Sequence, residues 1–387
     1  MNEPPATGSE ARPRIVQICR EIADGGGVSG VAAQLEAGFR AAGYECGRMT
    51  LESVGLRPRR PGPSQLVNKL FLLRDVVWYS IAGTVYARLR HRRPDTVVIC
   101  HNDVLFGDIY INHGLHKLLV LRSPNRAKML LRNPLHWFLL GREEIRHRLR
   151  LHRFVVTLSG KDSEDIGQVY PSTRDRVVQL SNGVHFDRFA AAAAKRPELR
   201  RAMGVGDDEV VLLFVGHEFQ RKGLSQAIEA LGMLDKRFRL WVVGGSASMI
   251  AAAAPEAAQW GVADRVRFFG TQKEGIEKFF GAADLMVLPS EYEAAALVLF
   301  EAMAAGLVPV VTPVGAAPDL IEHGVNGFLV DRSGASIAAA VNQAVHTPGE
   351  LSALSKRANE TAGRYGWPQV INRYLELVNE VHRSRPR

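Results

Sequence analysis

The 387-residue chain has little cysteine: Cys19, Cys46 and Cys100 are an odd number and include no CxxC pair. A disulfide framework and a zinc site built on paired cysteines are excluded, and a reducing, cytoplasmic setting is expected. Long hydrophobic runs are missing as well. The charge-free apolar stretch of membrane-like composition at residues 76–87 has 12 residues, against the roughly 20 that a spanning helix requires. The first fourteen residues, MNEPPATGSEARPR, contain no apolar core. They do not read as a signal peptide, and residues 1–11 are expected to form a loose polar tail. No internal repeat on the scale of solenoids or propellers is present, and no RRM, KH or zinc-finger signature occurs.

Positive charge, by contrast, is plentiful. The 49 Lys and Arg against 40 Asp and Glu leave a formal +9, which favours anionic partners: nucleic acid, acidic lipid or phosphorylated small molecules. At roughly 150 residues per domain, the length suggests two domains of similar size. Short apolar runs recur between amphipathic stretches: IVQIC at 15–19, TVVIC at 96–100, FVVTL at 154–158 and VVQL at 177–180. They resume as VVLLFVG at 210–216, RLWVVGG at 239–245, VRFFG at 266–270, LMVLPS at 285–290 and VPVVT at 308–312. Such runs suit parallel strands buried on both faces and predict an α/β fold with two Rossmann-like parallel-sheet domains. The domains are expected over 12–185 and 186–368, with a hinge near 186–190 where FDRFAAAAAKRPELRRAMGVGDD begins. A last helix over 369–387 either closes the second domain or completes the first.

The most informative segment follows LMVLPS. It reads EYEAAALVLFEAMAAG, an apolar strand leading through a break into a helix that opens near Ala295. Unpaired amides and the positive dipole end at such a start can bind phosphate, and the alanines allow close approach. Glu293 and Glu301 would lie about 12 Å apart if the chain between them were helical. Glu291 and Glu293 have no D-x-D or supporting His or Asp around them, so no metal and no other cofactor is expected. Arg221 and Lys222, after the strand that ends at Gly216, supply a guanidinium fork and a point charge for phosphate oxygens.

These residues resemble the E-x7-E motif of glycosyltransferase family 4, the retaining GT-B enzymes. LSNGVHFDRF at 180–189, FVGHEFQRKGLSQAIEAL at 214–231 and VNGFLV at 325–330 are similar to further segments of that family. EFQRKG together with EAAALVLFEA is most similar to the branch of bacterial lipopolysaccharide core glucosyltransferases. His217 stands where the family often has Arg after FVG, and Arg221 is expected to supply the guanidinium instead. The resemblance implies two domains facing across a cleft. It also implies hexose transfer with retention from a nucleotide-diphosphate sugar, UDP-glucose by default, to a glycan, glycolipid or other cell-envelope acceptor. In that reading Arg221, Lys222, Gly216 and the helix start at Ala295, Ala296 and Leu297 hold the diphosphate. Glu293 holds sugar hydroxyls and Glu301 the ribose.

In the first half, Gly25, Gly27 and Gly30 satisfy G-x-G-x-x-G literally, but residues 20–24 separate them from the strand, where a dinucleotide fingerprint would begin. The resemblance instead makes Gly26 and Gly27 part of a loop facing donor phosphate or acceptor. His101 and His113 each follow an apolar stretch at the carboxyl end of a strand, where ligands of open α/β sheets bind. The resemblance places His113 beside the anomeric carbon, and His116 has no such warrant. Ten Lys and Arg between 117 and 153 stand against Glu143 and Glu144, interleaved with Leu and aromatic residues. That stretch is either a surface for anionic membrane lipid or a phosphorylated acceptor, or a helical pair with a solvated basic face. Arg57 to Arg60 and a helix over 66–93 would add to the same positive surface. Two rival functions are a basic nucleic-acid-binding protein, suggested by the charge, and an NAD-dependent oxidoreductase, suggested by residues 25–30. Neither accounts for Glu293 and Glu301.

Overall fold

A computed structural model describes residues 12–23, 25, 27–57, 65–123, 125–272, 274–347 and 349–385. The chain forms two units. The first comprises residues up to Thr157, Ser163–Leu180 and the chain from Ile371, and the second comprises Leu158–Asp162 and Ser181–Val370.

The first unit holds β1 (Arg14–Ile18), β2 (Cys46–Met49), β3 (Thr96–His101), β4 (Ile109–Ile111), β5 (Phe154–Thr157) and β6 (Val177–Gln179). They form one sheet in the order β2-β1-β3-β4-β5-β6, parallel throughout. All six residues of β3 are buried, as a strand covered on both faces requires. The chain order reverses beside β1, between β2 and β3, so the carboxyl ends of β1 and β3 flank the crevice where such sheets bind ligands. The Gly27–Ala41 helix follows β1 and buries Val31, Leu35 and Phe39. The Trp367–Arg383 helix packs on it: a Cβ at Gly38 would stand 1.8 Å from Ile371 Cδ1. Tyr44 Oη donates to Asn379 Oδ1 at 3.1 Å, and the Arg385 guanidinium donates to the carbonyls of Arg93 and Thr96 and to Asp108.

The second unit holds β7 (Val210–Val215), β8 (Phe238–Val243), β9 (Val266–Gly270), β10 (Leu285–Leu288), β11 (Val308–Val311) and β12 (Phe328–Leu329). Their order is β12-β11-β10-β7-β8-β9, again parallel. The reversal here lies between β7 and β10, and the two segments singled out in the sequence, 216–223 and 289–297, leave the carboxyl ends of those strands. Each fully buried Val, Leu or Ile side chain in β7, β10 and β11 stabilises the unit by roughly 1.5–3 kcal/mol relative to exposure.

The alanine-rich stretch after 186 forms the Phe186–Ala194 and Arg196–Met203 helices, which group with the second unit from Ser181 onward. Phe189 is buried edge-on against Phe280, their centroids 5.1 Å apart, and Gly281 lies so near that a Cβ there would meet the Ala192 carbonyl at 2.6 Å. Small side chains serve close helix approach here. Asp284 secures the second helix by pairing with Arg196 and Arg200 while accepting the Val211 amide. Strands β2 and β12 lie outside the apolar runs of the sequence, β2 because CGRM carries Gly and Arg and β12 because it has two residues, whereas β4 is the strand expected before His113.

Candidate active site

Pro289 ends β10, and the loop that follows reaches the Leu297–Ala304 helix. The helix begins at Leu297 with Ala296 as its cap, not at Ala295. Ala296 is extended (φ −64°, ψ 106°) and offers no side-chain cap, so the first amides of the helix keep their capacity for an anion. Asn182 Nδ2 holds the loop by donating to the Ala295 carbonyl at 3.2 Å. Glu293 therefore precedes the helix instead of lying on it, and the all-helical spacing to Glu301 does not apply.

Glu293 is the meeting point of the site. Its Oε1 accepts from Lys222 Nζ at 2.7 Å and from Ser290 Oγ at 3.0 Å, and Arg221 Nη1 lies 3.2 Å away. Thr312 Oγ1 donates to the Ser290 carbonyl at 2.6 Å and braces that serine. Arg221 also donates to Glu218 Oε2 through Nε and Nη2 and to the Tyr292 carbonyl. Both cations are thus already engaged, two positive groups against the carboxylates of Glu218 and Glu293. His217 is exposed.

Glycines make this convergence feasible. A Cβ at Gly216 would stand 2.1 Å from Lys222 Cδ, so the bare backbone is what lets the lysine run toward Glu293. Gly223 turns the chain at φ +80° with a Cβ position 2.3 Å from the Pro289 carbonyl, a conformation and an approach open only to glycine. Glu301, in the helix, is half-buried, and loss of water around its carboxyl pushes its pKa up to about 7, opposed by the charge of Arg188.

In the first unit, β1 ends at Ile18 and the next helix opens only at Gly27, at φ +71°, which does not match a dinucleotide-binding turn. Gly25 turns at φ +144°, and a Cβ at Gly30 would strike the Gly25 carbonyl. Gly26 lies outside the described residues. Beside this loop His101 Nδ1 and His113 Nε2 are 3.1 Å apart, and His101 Nε2 lies 2.9 Å from Gln17 Oε1. Burial lowers His101 well below an ordinary imidazole, and His113 to about 4. At neutral pH His113 acts as a neutral imidazole and not as a cation.

The basic stretch is only partly a surface. Arg146 is buried, 4.1 Å from the Tyr110 ring centroid, and donates to the carbonyls of Asn102 and Val104. Arg142 donates to Ser80 Oγ at 2.6 Å and the Asp103 carbonyl at 3.0 Å. Lys117, Arg122, Arg148 and Arg150 pair with Glu144, Asp165, Glu144 and Asp175. Arg126, Lys128 and Arg132 stay exposed beside Leu131 and Trp137. Residues 58–60 of the preceding basic insert lie outside the described residues. The Gln65–Arg90 helix adds Leu70, Trp78, Ile81, Val85 and Leu89, all more than half exposed and spaced to share one face with Arg74. Among the described residues no helix is long and apolar enough to cross a membrane, and no group of three His, Cys, Asp or Glu could hold a metal.

Asn182, Ser290, Thr312, Glu218 and Gln17 were not identified as site residues from the sequence. Asn182, Glu218 and Ser290 lie inside segments named above, and Gln17 carried a signal of its own as a polar residue inside the run IVQIC. A buried polar side chain of that kind must find partners.

Residues 195–361 match the family model Glycosyl transferases group 1. An uncharacterized glycosyltransferase of Methanocaldococcus jannaschii is 31% identical over 231 residues, 58% of each chain, so the match spans less than two thirds of that relative. A D-inositol 3-phosphate glycosyltransferase of Xylanimonas cellulosilytica is 26% identical over 288 residues, 72% of this chain and 68% of the relative. The solved structure of WaaG, a glycosyltransferase involved in lipopolysaccharide biosynthesis, is similar with a TM-score of 0.74 at 20% identity, covering 94% of this chain and 99% of that one. Anabaena HepE in complex with UDP-glucose is similar with a TM-score of 0.68 at 17% identity, covering 95% and 100%. Those two likenesses establish the fold. Residues 195–361 of the second unit are thus similar to the group 1 glycosyltransferases, and the chain as a whole has the GT-B fold.

Proposed function

We propose that the protein is a retaining hexosyltransferase that moves a sugar from a nucleotide-diphosphate donor to a glycan, glycolipid or other cell-envelope acceptor. The observation that carries this reading is the convergence of Lys222, Arg221 and Ser290 on Glu293 beside an uncapped helix start. An anionic diphosphate entering there takes over Lys222 and Arg221 from Glu293 and meets the amides near Ala295, Ala296 and Leu297, with Gly216 leaving room for the lysine. Glu293, released from the cations, is then free to accept sugar hydroxyls, and Glu301 accepts from the ribose. His113 meets the sugar as a neutral hydrogen-bonding group.

The donor's anomeric C–O bond breaks toward the nucleoside diphosphate, whose growing negative charge these groups stabilise. The acceptor oxygen bonds to the anomeric carbon on the same face, and its proton passes to a β-phosphate oxygen. This reading needs no divalent ion, because two side-chain cations and the helix start supply the positive field. UDP-glucose is the first donor to test, and it is what the Anabaena neighbour holds. The lipopolysaccharide branch and a cytoplasmic setting belong to the same reading. So does docking on anionic lipid through Arg126, Lys128, Leu131, Arg132 and Trp137.

A thermal-shift series with UDP-, GDP- and ADP-sugars, with and without EDTA, tests it, since a ligand that binds only the folded form raises the midpoint. A rise with one sugar nucleotide that survives EDTA, followed by turnover to an α-linked product from an α-donor, is expected. No shift with any of them at millimolar concentration overturns the assignment.

A further inference from the structure

Three side chains from three separate segments of the first unit form a line: Gln17 in β1, His101 at the end of β3, and His113 after β4. Gln17 Nε2 donates to the Ala32 carbonyl at 2.9 Å. A carbonyl only accepts, so this contact fixes which end of the amide is which and turns Gln17 Oε1 toward His101. Oε1 also only accepts, so His101 Nε2, 2.9 Å away, must carry the proton of that neutral ring. His101 Nδ1 is then a bare acceptor, and the atom 3.1 Å from it, His113 Nε2, must be the donor. The chain of obligations ends with His113 Nδ1 unprotonated, and no hydrogen bond among the described residues occupies it. Gln17 and His101 are themselves almost fully buried, and the near-parallel rings of the two histidines, 19° apart, are held edge to edge. Asn102 Oδ1 accepts the His113 amide at 3.4 Å and steadies its backbone.

We propose that Gln17 and His101 are positioning residues that hold His113 in its Nε2–H tautomer, so that His113 Nδ1 accepts a hydrogen bond from a hydroxyl of the bound sugar. The contact with sugar rests on the glycosyltransferase reading, whereas the tautomer stands on the geometry of the unliganded chain. Because the line starts at a carbonyl of the helix that follows the glycine loop, the orientation of that helix and the acceptor presented by His113 are set together. Without Gln17 the His101 ring can present either nitrogen, and the tautomer of His113 is no longer fixed.

The test is long-range proton–nitrogen NMR of the histidine rings in the full chain at neutral pH. His113 is expected to show a protonated Nε2 and a pyridine-type Nδ1, as is His101. Gln17→Leu should give mixed tautomers at both rings and lower kcat/KM roughly tenfold, the size of one hydrogen bond between neutral groups. Gln17→Glu, which keeps an acceptor toward His101 but sets a carboxylate against the Ala32 carbonyl, should keep His101 Nε2 protonated. That variant also keeps the idea testable if Gln17→Leu fails to fold. UDP-glucose, but not UDP, should move the His113 Nδ1 resonance toward that of a hydrogen-bonded acceptor. A protonated Nδ1 on His113 in the unaltered chain, or an unchanged spectrum in folded Gln17→Leu, overturns the tautomer lock. If UDP-glucose binds and leaves Nδ1 unmoved, the sugar contact is overturned. If the tautomer pattern holds but no sugar nucleotide binds, the glycosyltransferase reading fails and the lock does not.

Discussion

Lys222 Nζ lies 2.7 Å from Glu293 Oε1, both side chains largely shielded from water. In the unliganded chain the acid thus occupies the cation that the proposed donor requires, and Arg221 Nη1 shares the same oxygen. Binding of a diphosphate is an exchange of one anion for another, not the filling of an empty positive pocket.

A specific result follows for Glu293→Gln. Removing the negative charge frees Lys222 and Arg221, so affinity for UDP alone should rise, by on the order of tenfold for one charge-assisted bond. Turnover of UDP-glucose should fall at least a hundredfold, because the sugar loses its acceptor. Calorimetric titration with UDP beside a turnover assay checks both, and weaker UDP binding in a folded variant would contradict the exchange.

Glu301, the proposed ribose contact, is buried at a cost to stability. Its carboxyl is raised to about 7 by burial, so its contribution to stability is fully present below the ordinary glutamate value and lost as pH rises through about 7. Glu301→Gln should therefore stabilise the chain at pH 8, by up to about 3 kcal/mol, and leave it nearly unchanged at pH 4.5. The same substitution should weaken donor binding roughly tenfold. In the unaltered enzyme, donor KM should rise as pH falls through about 7. Denaturant melts at the two pH values and a KM profile report these effects.

Acid should unfold the first unit from its histidines. Burial lowers His113 and His116 to about 4 and His147 to about 3, and holds His101 and His152 well below the usual range. A depressed imidazole contributes stability that is complete above its unfolded value and lost as pH falls through the folded one. Between about pH 6.5 and 4, five such groups outweigh the opposite trend of Glu301, so the melting temperature should drop steeply there. His116→Gln should flatten part of that slope, by about 1 kcal/mol over the window once solvent screening of the half-buried ring is allowed for.

The exposed cations near Trp137 give a separable prediction. Replacing Arg126, Lys128 and Arg132 by Ala should reduce binding to vesicles containing anionic lipid about a hundredfold, at about 1 kcal/mol for each charge. Turnover on a soluble acceptor should not change. Sedimentation at low and high salt checks it, and salt-insensitive binding would point to the apolar face of the Gln65–Arg90 helix instead.

Much of the architecture could be read from residue pattern, because strands buried on both faces leave continuous apolar runs such as VVLLFV in β7. β2 and β12 escaped because CGRM is not an apolar run and two residues carry no period. The gathering of Arg221, Lys222 and Glu293 was anticipated through motif resemblance, but their mutual neutralisation was not, since charge order along a chain does not state which opposite charges meet. Arg142 and Arg146 looked like surface for the same reason: a guanidinium turned inward onto carbonyls and the Tyr110 ring has no different sequence from one in water. Ala190 to Ala194 resembled a linker by composition, whereas alanine is also the strongest helix former and the smallest packing surface.

The helix that begins at Trp367 has a consequence for biosynthesis. From Ile371 onward it belongs to the amino-terminal unit, where it seats against Gly38 and, through Arg385, clasps the start of β3. On the ribosome the first sheet must wait, its flank open, while the entire second sheet is made and folds. Nascent chains arrested before residue 371 should therefore protect the later-synthesised lobe from protease sooner than the earlier one.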